Sequence, residues 1–218
     1  MRMSMIIKIE DLKDIILIIK ENSENIIQEI TQEDIDLYVF IQEQFNKQKS
    51  GAPGKNFKKI FPLFYGTRIN QILTYFDKLF DKNLYNTLHK IENFDELEII
   101  YEELLDFFHA DSRKYQYSYI SKLIHTINPD FPIYDSYVKV ALGLKESPDT
   151  EQRRKEFWNI IYKKINNIYQ IIIEKELLKE VIEDFSIKRE ITNMNNIKIL
   201  DFLFWGAGAL INKKSQFK

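Results

Sequence analysis

Six glycines and five prolines are all that punctuate this 218-residue chain. Between them run isoleucine- and leucine-rich stretches whose apolar positions recur at three- and four-residue intervals. No stretch keeps up the period-two alternation of a half-buried strand. A chain with few places to turn and one periodicity to bury predicts an all-α fold, a two-lobed bundle of roughly eight to ten helices. Ile9, Leu12, Ile15, Ile16 and Ile19 mark the inward face of a first helix. Thr31 supplies a capping hydroxyl, and Glu33 and Asp34 the acidic first turn, of a second that runs to about Phe45 with Ile35, Tyr38, Ile41 and Phe45 inward. Further helical patterns run from Ile69 to about Ile91, from Phe94 to Phe108 behind Asn93 or Asp95, and from Glu151 to about Ile173. Glu174 to Phe185 continues or restarts that last run, and the segment IKILDFLFWGAGAL follows the break at Asn193–Asn196. The whole chain, 1–218, is expected to form one helical domain, with lobes of about 1–108 and 109–218 around a cleft.

Hydrophobic residues at 44% and charged residues at 29% are the proportions of a globular protein. With no cysteine there is no disulfide-linked partner, thiolate metal site or cysteine nucleophile, and the composition suits a reducing cytoplasm. Charges at Lys8, Glu10, Asp11, Lys13 and Asp14 interrupt the N-terminal isoleucines, so neither a signal peptide nor a membrane partner is expected. Three scattered histidines predict no metal site, and nothing calls for a cofactor. A net charge of −2 requires any nucleic-acid partner to be met by a local basic patch.

One such patch exists. No acidic residue lies between Glu43 and Asp77, while Lys47, Lys49, Lys55, Lys58, Lys59 and Arg68 are interleaved with Phe57, Phe61, Phe64 and Tyr65. Lysines with aromatics between them suit a surface that touches phosphates and stacks on bases. The same spacing equally describes a helix with its phenylalanines packed inward and its lysines in solvent.

Chemistry concentrates in Tyr117–Leu144, YSYISKLIHTINPDFPIYDSYVKVALGL. Ile120, Leu123, Ile124 and Ile127 mark one helical face, which leaves Lys122 and His125 on a different, partly exposed side. Pro129 and Pro132 then stop that helix and force an extended turn, which delivers Asp135 to the start of a helix ended by Gly143. The turn can fold Asp135 back beside Lys122. Taken alone, Asp135 is a helix cap, Lys122 a snorkelling surface lysine and His125 a structural hydrogen-bonding residue.

The stretch SKLIHTINPDFPIYDSYV resembles the signature of bacterial proteins related to the 8-oxoguanine DNA glycosylase fold. These belong to the wider helix-hairpin-helix glycosylase superfamily that includes endonuclease III. Lys122 matches the superfamily's lysine and Asp135 its aspartate; KILDFLFWGAG is similar to the closing helix. The resemblance covers two blocks, and it departs from the pattern in two ways. Residues 109–121 hold no glycine where the hairpin should be, and the interval from lysine to aspartate is short. It implies a DNA glycosylase, with or without an abasic-site lyase step, that flips a modified base into a cleft. Asp135 would stabilise charge developing at the sugar, and Lys122 would be the amine nucleophile. Tyr134, Phe204, Trp205 and His125 would receive the base, and Lys55, Lys58, Lys59, Arg68, Arg113 and Lys114 would hold the DNA backbone in place of the hairpin. The alternative is a non-catalytic helical module, binding nucleic acid or protein, in a defence or mobile-element system.

Overall fold

The computed structural model describes residues 12–46, 54–66, 84–112, 116–144 and 157–216. Among them the regular structure is helical, without strands. In chain order the helices are α1 Lys13–Glu21, α2 Ser23–Glu29, α3 Gln32–Asn46, α4 Lys55–Phe64, α5 Leu84–Lys90 and α6 Phe94–Ser112. They continue as α7 Tyr117–Ile127, α8 Ser136–Ala141, α9 Lys163–Glu174, α10 Lys179–Lys188 and α11 Asn196–Gln216, with a π-helical stretch Phe157–Tyr162 leading into α9. No described helix is long and apolar enough to cross a membrane.

The chain divides into two units, one formed by Met1–Ile30 with Pro132–Lys218 and the other by Thr31–Phe131. The unit boundaries therefore fall at residues 30/31 and 131/132. The reason for the discontinuous unit lies in α11. Gly206 and Gly208 are two residues apart and point to opposite sides of that helix. A Cβ on Gly206 would stand 2.9 Å from Ile26 Cγ2 of α2, and one on Gly208 would overlap the Tyr137 carbonyl oxygen of α8. The two glycines thus admit a close neighbour on each flank of α11. Arg189 donates to the Ile27 carbonyl, and Lys213 reaches Glu29 at 2.7 Å, which ties α2 to this unit a second and third time.

Within Thr31–Phe131, local signals set the helix starts. Thr31 and Asp34 form a reciprocal capping box: the Asp34 amide donates to Thr31 Oγ1 at 3.2 Å, and the Thr31 amide donates to Asp34 Oδ2 at 2.8 Å. Asn93 and Glu96 pair similarly at the start of α6, with the Glu96 amide donating to Asn93 Oδ1 at 2.9 Å. Ile35, Tyr38, Ile41 and Phe45 form the buried face of α3, as their spacing requires. Phe57 and Phe61 of α4 are also core residues, in ring contact with Phe45, Tyr65 and Tyr119 at centroid separations of 4.6 to 6.2 Å. For these two phenylalanines the inward-packed alternative holds, while Lys55 and Lys59 lie exposed on the same helix.

Helix α7 departs most from the expected pattern. Its face was expected to leave Lys122 and His125 partly exposed, yet Lys122 is 6% exposed and His125 is fully buried. α3, α5 and α6 all pack on α7, so one apolar stripe is not the limit of what it buries. Two of the hydroxyls this encloses bond within the helix itself: Ser121 Oγ donates to the Ser118 carbonyl at 2.9 Å and Thr126 Oγ1 to the Lys122 carbonyl at 2.8 Å. At its C-terminus, Asn128 Nδ2 donates to the Ile91 carbonyl at 2.9 Å and closes the end of α5.

Candidate functional site

Asp135 stands where the prolines deliver it. Its backbone is extended (φ −127°, ψ 159°), its Oδ1 accepts the Tyr137 amide at 3.0 Å, and it caps α8 while remaining half-exposed. Gly143, at φ +60°, ends this short helix: the Leu144 amide turns back to the Lys139 carbonyl at 3.0 Å.

The turn that carries Asp135 is tied down residue by residue. The Pro132 carbonyl accepts from the Tyr162 hydroxyl at 2.9 Å. The Ile133 amide donates to both oxygens of Asp201, at 3.1 and 3.3 Å. The Tyr134 ring meets Phe157 edge-on at 4.7 Å, and the Tyr137 ring meets Trp205 edge-on at 5.2 Å. Asp201, Trp205 and Gly208 recur at i, i+4 and i+7, so one face of α11 grips the turn and α8 together.

Asp201 is 3% exposed and also accepts from the Tyr169 hydroxyl at 3.1 Å. Burial pushes its carboxyl up to about 7 from an ordinary value of 3.8. Lys198, the Ile133 amide and the Tyr169 hydroxyl pull it back down, and Asp135 adds to the rise. Burial next, and then the Asp201 charge, raise the Tyr162 and Tyr169 phenols well above their usual range, so both stay protonated donors. Lys198, 4% exposed, lies with its ammonium 4.2 Å from the Phe202 ring centroid. Sequence reasoning missed Asp201. Its signal was there to read: a lone carboxylate within the apolar run from Ile197 to Gly208.

Lys122 and its neighbours belong to the other unit. The Lys122 ammonium donates to the Tyr65 carbonyl at 3.2 Å and lies 5.7 Å from the Tyr65 ring centroid. His125 Nε2 lies 3.1 Å from the Tyr38 hydroxyl and its Nδ1 lies 2.7 Å from the Phe131 carbonyl. Both ring nitrogens are therefore engaged within the core.

No family model, curated protein or solved structure significantly matches this chain.

The remaining sequence-predicted residues sort by exposure. Tyr134 and Phe204 are buried, the latter against Tyr169 at 5.2 Å, whereas Trp205 is half-exposed. Lys55 and Lys59 are exposed and Lys58 is partly so. Arg68, Arg113 and Lys114 lie outside the described residues. Tyr134, Asp135, Phe204 and Trp205 share one unit; Lys122, His125 and the α4 lysines share the other.

Proposed function

We propose that the chain is a DNA glycosylase whose reacting carboxylate is Asp135. The observation that carries this reading is a half-exposed aspartate, at the position the resemblance assigns to the superfamily carboxylate, on a turn anchored at Pro132, Ile133 and Tyr137. The reaction is hydrolytic. Asp135 faces the positive charge that develops at the sugar and takes a proton from a water that attacks C1′; the glycosidic bond breaks and its electron pair leaves with the base. The cap bond from the Tyr137 amide fixes the orientation of the carboxylate that this role needs. Exposed Lys55 and Lys59 supply phosphate contacts. A lyase step would need more of Lys122: its amine would have to leave the Tyr65 carbonyl and give up a proton before attacking the sugar.

A second reading, a helical module without catalysis, is favoured by a different observation. Lys122, His125, Tyr134 and Phe204 are all buried, in bonds and ring contacts that serve the fold.

A panel of duplexes bearing modified bases or abasic sites separates these readings. Wild type is expected to release a base from at least one duplex. Asp135→Asn should slow that release roughly a hundredfold or more while DNA affinity holds. Borohydride trapping lost in Lys122→Ala would add the lyase step. Salt-dependent DNA affinity without product would select the binder, and no affinity at low salt would leave protein interaction alone.

A further inference from the structure

We infer that Asp201 is a positioning residue for Asp135: from α11, and through the Ile133 amide, its carboxylate sets the turn that presents the Asp135 side chain and makes that presentation depend on its own charge. The inference deepens the glycosylase reading and rests on it for the role of Asp135. The physical coupling itself does not need DNA.

The geometry is specific. Only Tyr134 separates Ile133 from Asp135, and the Ile133 amide donates to both Asp201 oxygens. Beyond Asp135, the Tyr137 amide is bound to the Asp135 carboxylate and the Tyr137 carbonyl rests against Gly208 of the same helix that bears Asp201. Asp135 thus sits on a span whose two ends are both referred to α11. A shift at Ile133 has little slack to take up before it reaches the cap.

A neutral residue would serve a purely structural role as well, since an asparagine oxygen accepts an amide donor too, and burying a carboxylate is costly. What the carboxylate adds is a charge that can be switched. Ionised Asp201 binds the Ile133 amide and the Tyr169 hydroxyl with charge-assisted bonds, which slacken on protonation. The groups that face it are Lys198 on its own helix, Tyr169 on α9, Tyr162 on the π-helical stretch, and Asp135 and the Ile133 amide on the turn. Burial opposes ionisation, Asp135 opposes it further, and Lys198, Tyr169 and the amide favour it; the outcome places the switch near pH 7.

The test follows backbone amides by NMR across pH 5 to 9 in the full chain without DNA, with the Asp201 carboxyl carbon as the direct probe. The Ile133 and Tyr137 amide resonances are expected to titrate together with a midpoint near 7, as does the carboxyl carbon. Asp201→Asn should abolish that titration at both amides, and Asp135→Asn should lower the midpoint by removing an opposing charge. If Asp201→Asn does not fold, Tyr169→Phe serves: loss of its hydroxyl should raise the midpoint. Three outcomes would each overturn the inference: no titration near 7 at Ile133, an Ile133 response that stops short of Tyr137, or a midpoint indifferent to both Asp135→Asn and Tyr169→Phe. On the glycosylase reading, kcat for base release should carry an ionisation near 7 that Asp201→Asn removes, with KM for the duplex changed less than about twofold. Coupled amides with no base release would reject the glycosylase and keep the positioning; base release with uncoupled amides would do the reverse.

Discussion

Asp201 shows what a single buried carboxyl does to a fold's response to pH. Unfolded, the group ionises above its ordinary 3.8; folded, it keeps its proton until about 7. Between those values the folded chain binds a proton that the unfolded chain has released. Its contribution to stability is therefore greatest at low pH, falls as pH rises through this window, and is level above 7. Wild type measured against Asp201→Asn by urea denaturation should lose relative stability from pH 4 to 7, by on the order of a few kcal/mol, and then change no further. A stability difference independent of pH would contradict the raised value. Lys122 is a buried donor on a backbone carbonyl. Lys122→Met keeps the volume but strips the Tyr65 carbonyl of that donor, and a loss of about 1–3 kcal/mol in the same assay is the expected result.

The elements of this chain are set by short-range signals, and their packing by where small residues fall. The capping box at Thr31 belongs to the first kind: Thr31→Ala should cost about 1 kcal/mol, as loss of an N-cap usually does. Gly208 belongs to the second. A methyl group there would overlap the Tyr137 backbone carbonyl, an atom that cannot rotate away, whereas at Gly206 the crowding is less severe, 2.9 Å to Ile26 Cγ2 and 3.1 Å to the Ile26 carbonyl oxygen. Gly208→Ala should cost on the order of 3 kcal/mol and displace α8, with Gly206→Ala distinctly milder; thermal denaturation of the pair reads the contrast. The same displacement moves the Asp135 cap, so a folded Gly208→Ala variant should also lose protection of the Tyr137 amide from hydrogen exchange.

At the scale of the whole molecule, the net charge of −2 gives DNA no general reason to approach, so the proposed function assigns that attraction to the lysines of α4. On the proposed function, replacing Lys55, Lys58 and Lys59 together by Gln should weaken binding to all duplexes alike. It should also reduce the slope of log affinity against log salt by roughly 2–3, since each phosphate contact contributes about 0.9. A weakened affinity with an unchanged slope would mean that these lysines do not touch phosphates. The division of the chain makes a related point. Thr31–Phe131 is an insertion within a unit whose halves are Met1–Ile30 and Pro132–Lys218, and no composition shift or linker announces either junction.

Helical class, the starts of α3, α6, α8 and α11, the inward face of α3, and the capping position of Asp135 were legible in the sequence, because each depends on residues within a turn or two of one another; for the phenylalanines of α4 the spacing left inward packing and base stacking equally open. The run expected from Glu151 to Ile173 was legible only in part: among its described residues the chain begins as a π-helix at Phe157 before α9. Three features were decided by tertiary structure alone. Lys122 and His125 became core residues because three helices pack on α7, and a stripe read along one helix cannot count its neighbours. Asp201 became an anchor because its donors come from Ile133 and Tyr169, 68 and 32 residues away in the chain. The glycines of α11 acquired their purpose from Ile26 and Tyr137, which meet them only once the chain has folded. Periodicity and caps are local and survive in the sequence; which polar group finds which distant partner is settled only by packing.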